Sequence, residues 1–191
     1  MAVVHCLGTG LVGAWVVKRL AAAGHEVHAY DLHPHSVLGV DGVTVHAVDL
    51  LDDMPPFQQN GPVDMVVNML PGSIGHVATT ILAESPYRIV DLSFSAHTPD
   101  RDDEKARDYG ATILWDVGIA PGLSNMLLSI ADRRIGPLQK AEVWVGGNPT
   151  GPFGEWSYMA PCSPIDVIAE YTRPARVVRN GEEVVLPALS L

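Results

Sequence analysis

Three glycines at G-x-G-x-x-G spacing, Gly8, Gly10 and Gly13, separate two apolar runs in VVHCLGTGLVGAW (residues 3–15). In a strand–turn–helix unit the first such glycine permits the tight turn, the second lets a pyrophosphate approach the backbone, and the third lets helix and strand pack closely. The N–H groups that follow, those of Leu11 and Val12 among them, open a helix whose dipole favours negative charge. This is chemistry for a dinucleotide. The glycine pattern alone is a weak signal, but here it follows a predicted strand, opens a predicted helix and precedes a second strand ending in Asp31. An acid at that point hydrogen-bonds adenosine ribose hydroxyls and repels a 2′-phosphate, and DLHPH (31–35) offers no arginine to hold one. The expected cofactor is NAD rather than NADP. A purely structural glycine turn and a methyltransferase with a similar loop are the competing readings.

Ligands of open parallel sheets sit beyond the carboxyl ends of the strands, at the point where strand order reverses. Asp49 and Leu50 end the third predicted strand and are candidates to flank adenine. Asn68, Leu70 and Pro71 end the fourth, where a dinucleotide's nicotinamide ribose lies. VDLSF (90–94) and DVGIAPG (116–122) converge on the same rim, which makes Asp91, Ser93 and Asp116 the polar groups expected nearest a reacting carbon. Each of these residues also has an ordinary use as a helix cap or turn former.

The eight histidines raise the question of a metal. In HEVH, His25 and His28 would lie on opposite faces of a strand, a poor chelate, so structural or surface histidine is expected and no metal. The Tyr-x-x-x-Lys acid/base pair of short-chain dehydrogenases is absent: Tyr109 is followed four residues later by Ile113, and Tyr158 by Cys162. That counts against a short-chain epimerase or reductase.

To position these residues the chain alternates short apolar runs with helical stretches, the signature of a parallel sheet covered on both faces. Strands are predicted at 2–7, 26–30, 43–49, 63–69, 88–92 and 111–115. Helices are predicted at 11–23, 74–84 and 101–109, with a weak one at 52–59 that Pro55 and Pro56 interrupt. A further helix follows DVGIAPGLSN and runs to about Arg134, with Pro121 suited to its first turn. The rhythm then changes. KAEVWVGGNP (140–149) reads as a longer alternating strand, then come a Gly/Pro/aromatic loop over 149–161, a short helix opened by Ser163 and Pro164, and two strands around RNGEE. The expected fold is α/β: a Rossmann-type doubly wound parallel sheet over 1–120, then a connecting helix and the start of a smaller antiparallel α+β domain over 121–191.

The 191 residues carry a formal net charge of −10, which gives no basic face for nucleic acid or anionic lipid; neither is an expected partner. The first residues show no basic region or cleavage site of a signal peptide. The apolar stretch 11–23 contains Lys18 and Arg19 and is too short to span a bilayer. Cys6 and Cys162 do not read as a disulfide framework, and the expected compartment is the cytoplasm.

Four stretches, VNMLPGSIG (67–75), IVDLSF (89–94), WDVGIAPGLSNMLL (115–128) and IDVIAEYTRPARVVRNG (165–181), resemble the saccharopine dehydrogenase-like family, and within it the lysine 6-dehydrogenase group. The D-x-G-x-A-P-G-L-S-N run is the most specific of them, and the resemblance extends over nearly the whole chain. It implies NAD-dependent oxidation at the ε-carbon of lysine or a related amino acid, giving an imine that hydrolyses to a semialdehyde. It further implies Asp116 or Asp91 as base or electrostatic partner of the substrate cation, Ser124 and Asn125 as substrate contacts, and a homodimer. Members of the family continue through a long antiparallel sheet that forms the substrate wall, so the chain reads as C-terminally truncated. The alternative is an NAD-binding module without catalysis that needs a second polypeptide.

Overall fold

Val3–Leu7 (β1) is apolar except for His5, and its last four residues are buried, as a strand covered on both faces must be. The computed structural model describes residues 1–57, 60–94, 97–146, 150–151, 154–155, 159–160 and 163–190. These divide into two compact units, Met1–Val143 and Trp144–Leu191.

In the first unit β1 is followed by α1 (Leu11–Ala22), β2 (Glu26–Asp31), β3 (Val43–Ala47), β4 (Met65–Asn68), α2 (Gly72–Leu82), β5 (Arg88–Asp91), α3 (Asp103–Tyr109), β6 (Thr112–Leu114) and α4 (Leu123–Ile135). The six strands form one parallel sheet in the order β3-β2-β1-β4-β5-β6. This is the doubly wound dinucleotide-binding arrangement, with strand order reversing between β1 and β4.

Side chains alternate between two cores. Val4, Cys6, Val27, Ala29 and Val67 meet Ala14 and Val17 of α1 on one face. Leu7, Tyr30, Val66 and Ile89 meet Ala78 and Leu82 of α2, with Leu50 and Phe57, on the other. Burial holds the Cys6 thiol at about 12.

The histidines of β1–β3 are structural. The His5 ring stacks on His28 with centroids 4.7 Å apart, and Tyr30 stacks on His46 at 4.4 Å. His5 Nδ1 and the Tyr30 hydroxyl share a hydrogen bond of 2.9 Å, and His28 Nδ1 and His46 Nε2 one of 3.0 Å. Burial pushes His5 and His46 below the ordinary histidine value and raises Tyr30 to about 12. Among the described residues no three His, Cys, Asp or Glu side chains group as a metal site would need. No helix among them is long and apolar enough to cross a membrane.

The second unit holds α5 (Pro164–Thr172) and an antiparallel hairpin of β7 (Ala175–Arg179) and β8 (Glu182–Leu186). Asn180 and Gly181 join the strands at φ 55° and 86°, the double positive-φ turn that suits strand twist. None of its described residues is buried.

Several expectations are corrected. Residues 140–146 form no strand: the apolar alternation is present, but no ladder partner lies among the described residues, and Trp144 is 90% exposed. Residues 52–57 form turns and bends rather than a helix, as two successive prolines without N–H donors dictate. Pro121 precedes α4 instead of lying in its first turn, because the helix begins after Gly122. The predicted 101–109 helix opens as a 3-10 turn over Pro99–Asp102. Cys162 and Tyr158 lie outside the described residues.

Candidate functional site

Because every strand of the sheet is parallel, all the predicted site segments leave it at one edge. Backbone hydrogen bonds continue past the strand ends and tie them together. Gly8 N–H donates to Tyr30 O (2.9 Å), Met69 N–H to Leu7 O (2.9 Å), Leu92 N–H to Asn68 O (2.8 Å) and Val117 N–H to Asp91 O (3.1 Å).

The glycine turn is built as its spacing requires. Gly8 has φ +90°, and a Cβ on it would lie 3.0 Å from the Met69 carbonyl oxygen. At Gly13 a Cβ would overlap the Gly8 carbonyl oxygen, so α1 packs against the turn only without a side chain there. At Gly10 nothing lies within 4 Å of the Cβ position. The second glycine therefore faces open space while the first and third are confined, the pattern a turn needs to admit a pyrophosphate. The first N–H to bond back into the helix is that of Ala14, to Gly10 O (2.8 Å). The N–H groups of Leu11 and Val12 remain at the helix mouth, where anions are stabilised. These residues fit a dinucleotide phosphate.

Asp31 closes the turn from β2. Its Oδ2 accepts from Thr9 N–H (2.6 Å) and its Oδ1 from His33 N–H (2.8 Å), so the carboxylate is fixed at the end where an adenosine ribose would lie. Ser36 Oγ donates to Thr9 O at 2.6 Å.

The β4 and β5 ends differ in character. Asn68 is fully buried, and its Nδ2 donates to Gly75 O and to Thr79 Oγ1, both at 3.0 Å. Thr79 in turn donates to Asp91 Oδ2 (2.6 Å), and Asp91 Oδ1 accepts from Ser93 N–H (2.8 Å). Asp91 is 2% exposed. Its carboxylate thus fastens α2 to the sheet. Ser93 is buried against Gly75, where a Cβ would overlap it. Thr79 and Gly75 were invisible to sequence reasoning because their role depends on partners across the sheet.

Of the other predicted residues, Leu70 is buried, with its Cδ2 3.4 Å from where a Cβ on Gly8 would lie, and Pro71 precedes α2 as its cap. Asp49 is exposed, accepting from Leu51 N–H (3.0 Å), whereas Leu50 packs into the core beside Tyr30 and Phe57. Asp116 has φ +56°, an uncommon conformation for a residue with a side chain. It opens a tight loop in which Leu123 N–H donates to Gly118 O (2.9 Å), and Gly122 packs so closely on the Asp116 carbonyl that no side chain fits. Asn125 Oδ1 accepts from Gly122 N–H (3.1 Å) and from Ser124 Oγ (3.2 Å), so these two polar residues sit together at the mouth of α4.

No family model matches the chain. It is 25% identical over 153 residues to the alpha-aminoadipic semialdehyde synthase of Arabidopsis thaliana, covering 77% of this chain and 14% of that protein. It is 26% identical over 127 residues to the mitochondrial alpha-aminoadipic semialdehyde synthase of Mus musculus, covering 63% and 14%. The matches thus span about a seventh of the length of these curated relatives. Among solved structures, the WlbA dehydrogenase of Bordetella pertussis, determined with NADH and UDP-GlcNAcA, shares the fold at TM-score 0.51 and 14% identity, covering 70% of this chain and 42% of that one.

Proposed function

We propose that the chain is the nucleotide-binding part of a nicotinamide-dependent oxidoreductase acting on the CH–NH group of lysine or a related amino acid, with NAD preferred over NADP. The observation that carries this is the β1–α1 turn, confined at Gly8 and Gly13 and open at Gly10. The fixed Asp31 carboxylate supports NAD, since it would repel a 2′-phosphate. The similarity to two alpha-aminoadipic semialdehyde synthases supports the substrate class. Removing a hydride and a proton from the ε-CH–NH₃⁺ group of lysine leaves an iminium, and adding water to it releases ammonium and that same semialdehyde.

When bound, the nicotinamide supplies a hydride acceptor; the protein's part is binding and proton management. Gly8, Gly10, Leu11, Val12 and Gly13 would hold the pyrophosphate. Asn68, Leu70, Pro71 and Ser93 would line the nicotinamide end, and Asp49 the adenine end. Asp116, held in its loop beside Asp91, would take the proton from the ammonium nitrogen. Ser124 and Asn125 at the mouth of α4 would contact the amino-acid substrate, and Asp91 would act as a positioning residue behind Asp116. A homodimer belongs to the same proposal: Leu123, Met126, Leu127 and Ile130 of α4 form an exposed apolar stripe at helical spacing that a second copy would cover.

The test is the rise of reduced-cofactor absorbance when the purified chain meets NAD or NADP with L-lysine, saccharopine or ornithine. A lysine-dependent signal with NAD is expected. Asp116→Asn should lower turnover by at least about a hundredfold while leaving NADH affinity unchanged. A second reading, a cofactor-binding module whose catalysis needs further polypeptide, is favoured by the absence of any buried residue among those described in the second unit. It predicts NADH binding with no turnover of any amine.

A further inference from the structure

The sequence holds two Asn-Gly pairs, Asn60-Gly61 and Asn180-Gly181. Such a pair carries a reaction of its own. The glycine nitrogen attacks the asparagine Cγ, gives up its proton to solvent base and expels the side-chain nitrogen as ammonia, closing a succinimide ring. Water then opens the ring at either carbonyl, leaving aspartate or isoaspartate. Glycine is the follower that best permits this, because no Cβ crowds the attacking nitrogen and its backbone turns freely. Whether a given pair reacts then depends on what holds the carboxamide and the backbone beside it.

The two glycines are alike. Their φ is +94° at Gly61 and +86° at Gly181, and at neither does anything lie within 4 Å of the Cβ position. The asparagines differ. Asn60 is half-buried, and its Nδ2 donates to the Tyr30 hydroxyl and to Pro56 O, both at 3.1 Å. Its N–H donates to Phe57 O (2.9 Å), and Pro62 O lies 3.1 Å from His5 Nε2. Tyr30, Phe57 and His5 are fully buried, so this segment is pinned to the core. Turning the Asn60 carboxamide toward the Gly61 nitrogen breaks both of its side-chain bonds. Asn180 is exposed at φ +55°, and its carboxamide bonds to no other described residue. It lies in the turn of the β7–β8 hairpin, in a unit where no described residue is buried. A two-stranded hairpin without a core of its own is marginal in water and opens readily, which frees the backbone for ring closure.

We infer that Asn180 is a site of spontaneous deamidation in the folded protein, and that Asn60, with the same following residue, is protected by its bonds to the core. The product adds a carboxylate beside Glu182 and Glu183, and the isoaspartate form also puts an extra carbon into the backbone of the turn. A turn so lengthened no longer matches the β7–β8 register, which pairs Arg179 with Glu182.

The experiment incubates the full chain in mildly alkaline buffer, folded and in denaturant, and follows aspartate and isoaspartate at each site by proteolysis and mass spectrometry. In denaturant the two pairs are expected to convert at similar rates. In the folded chain Asn180 keeps most of that rate, whereas Asn60 converts at least about tenfold more slowly than Asn180. Gly181→Ala should suppress conversion at residue 180 and leave Asn60 unchanged. Equal rates at the two sites of the folded chain, whether fast or slow, overturn the inference, as does a slower Asn180. Undiminished conversion of Asn180 in Gly181→Ala overturns it as well, because the glycine nitrogen would then not set the rate.

Discussion

The two strand-to-helix junctions beside the point of reversed strand order are built from similar residues to opposite ends. Between β1 and α1 the glycines clear space, and the Leu11 and Val12 N–H groups at the helix mouth have no backbone partner among the described residues. Between β4 and α2 the polar groups of Asn68, Thr79, Asp91 and the Ser93 N–H bond to one another, and Gly75 brings helix and loop into contact. One junction leaves hydrogen-bonding capacity for a ligand; the other uses it to fix the framework that holds the first in place. A strand end rich in Asp, Asn and Ser is therefore read correctly only when the partners of each polar atom are known.

Substitutions can break that contrast. The largest effect is expected for Gly13→Ala, whose Cβ meets backbone that cannot rotate away: roughly 3 kcal/mol of stability lost in denaturant unfolding. Gly10→Ala should cost no more than about 1 kcal/mol, since open space surrounds it, while weakening NADH binding by about tenfold or more. If both alanines act alike on folding and on binding, the division of labour between the glycines is wrong.

Asp91→Ala addresses the closed junction. It leaves the Ser93 N–H without its acceptor and removes one partner of Thr79, so about 2 kcal/mol of stability should disappear. Unchanged stability would mean that the network does not fasten α2 to the sheet.

The smallest effect sharpens the comparison by acting on neither junction. His5 and His46 have folded-state values below the unfolded 6.5, chiefly through burial, so between those values the unfolded chain binds more protons. Their contribution to stability is full above pH 6.5 and is lost as pH falls through the lowered folded values. The denaturation midpoint should fall with acidification in that window, and His46→Asn should flatten the dependence. An unaltered slope in that variant would exclude His46 as a source.

Much of this was legible from spacing alone. The parallel sheet, its two covered faces and the tight glycine turn between β1 and α1 follow from periodicity and turn chemistry, which are local. Leu50 illustrates the limit: its position at a strand end marks it for a ligand rim, yet its side chain is drawn into the core beside Phe57. Residues 140–146 show another. An alternating pattern specifies a strand only if a neighbouring strand completes its hydrogen bonds, and that neighbour is not written in the segment itself. Thr79 looks like any helix-interior threonine until Asn68 and Asp91 arrive from two other strands.

The reversal of strand order also dictates a sequence of events during synthesis. β1 sits between β2 and β4, and Val3 N–H donates to Asp64, 61 residues away. A chain emerging from the ribosome can pair β1 with β2 and β2 with β3 early, but one side of β1 stays unpaired until residues 65–68 follow. Through that interval the most apolar strand of the molecule presents an open edge, the form of exposure that invites pairing with other chains. Slower translation between β3 and β4 would lengthen this exposure, whereas a delay after β4 would leave the central strand already sealed on both sides.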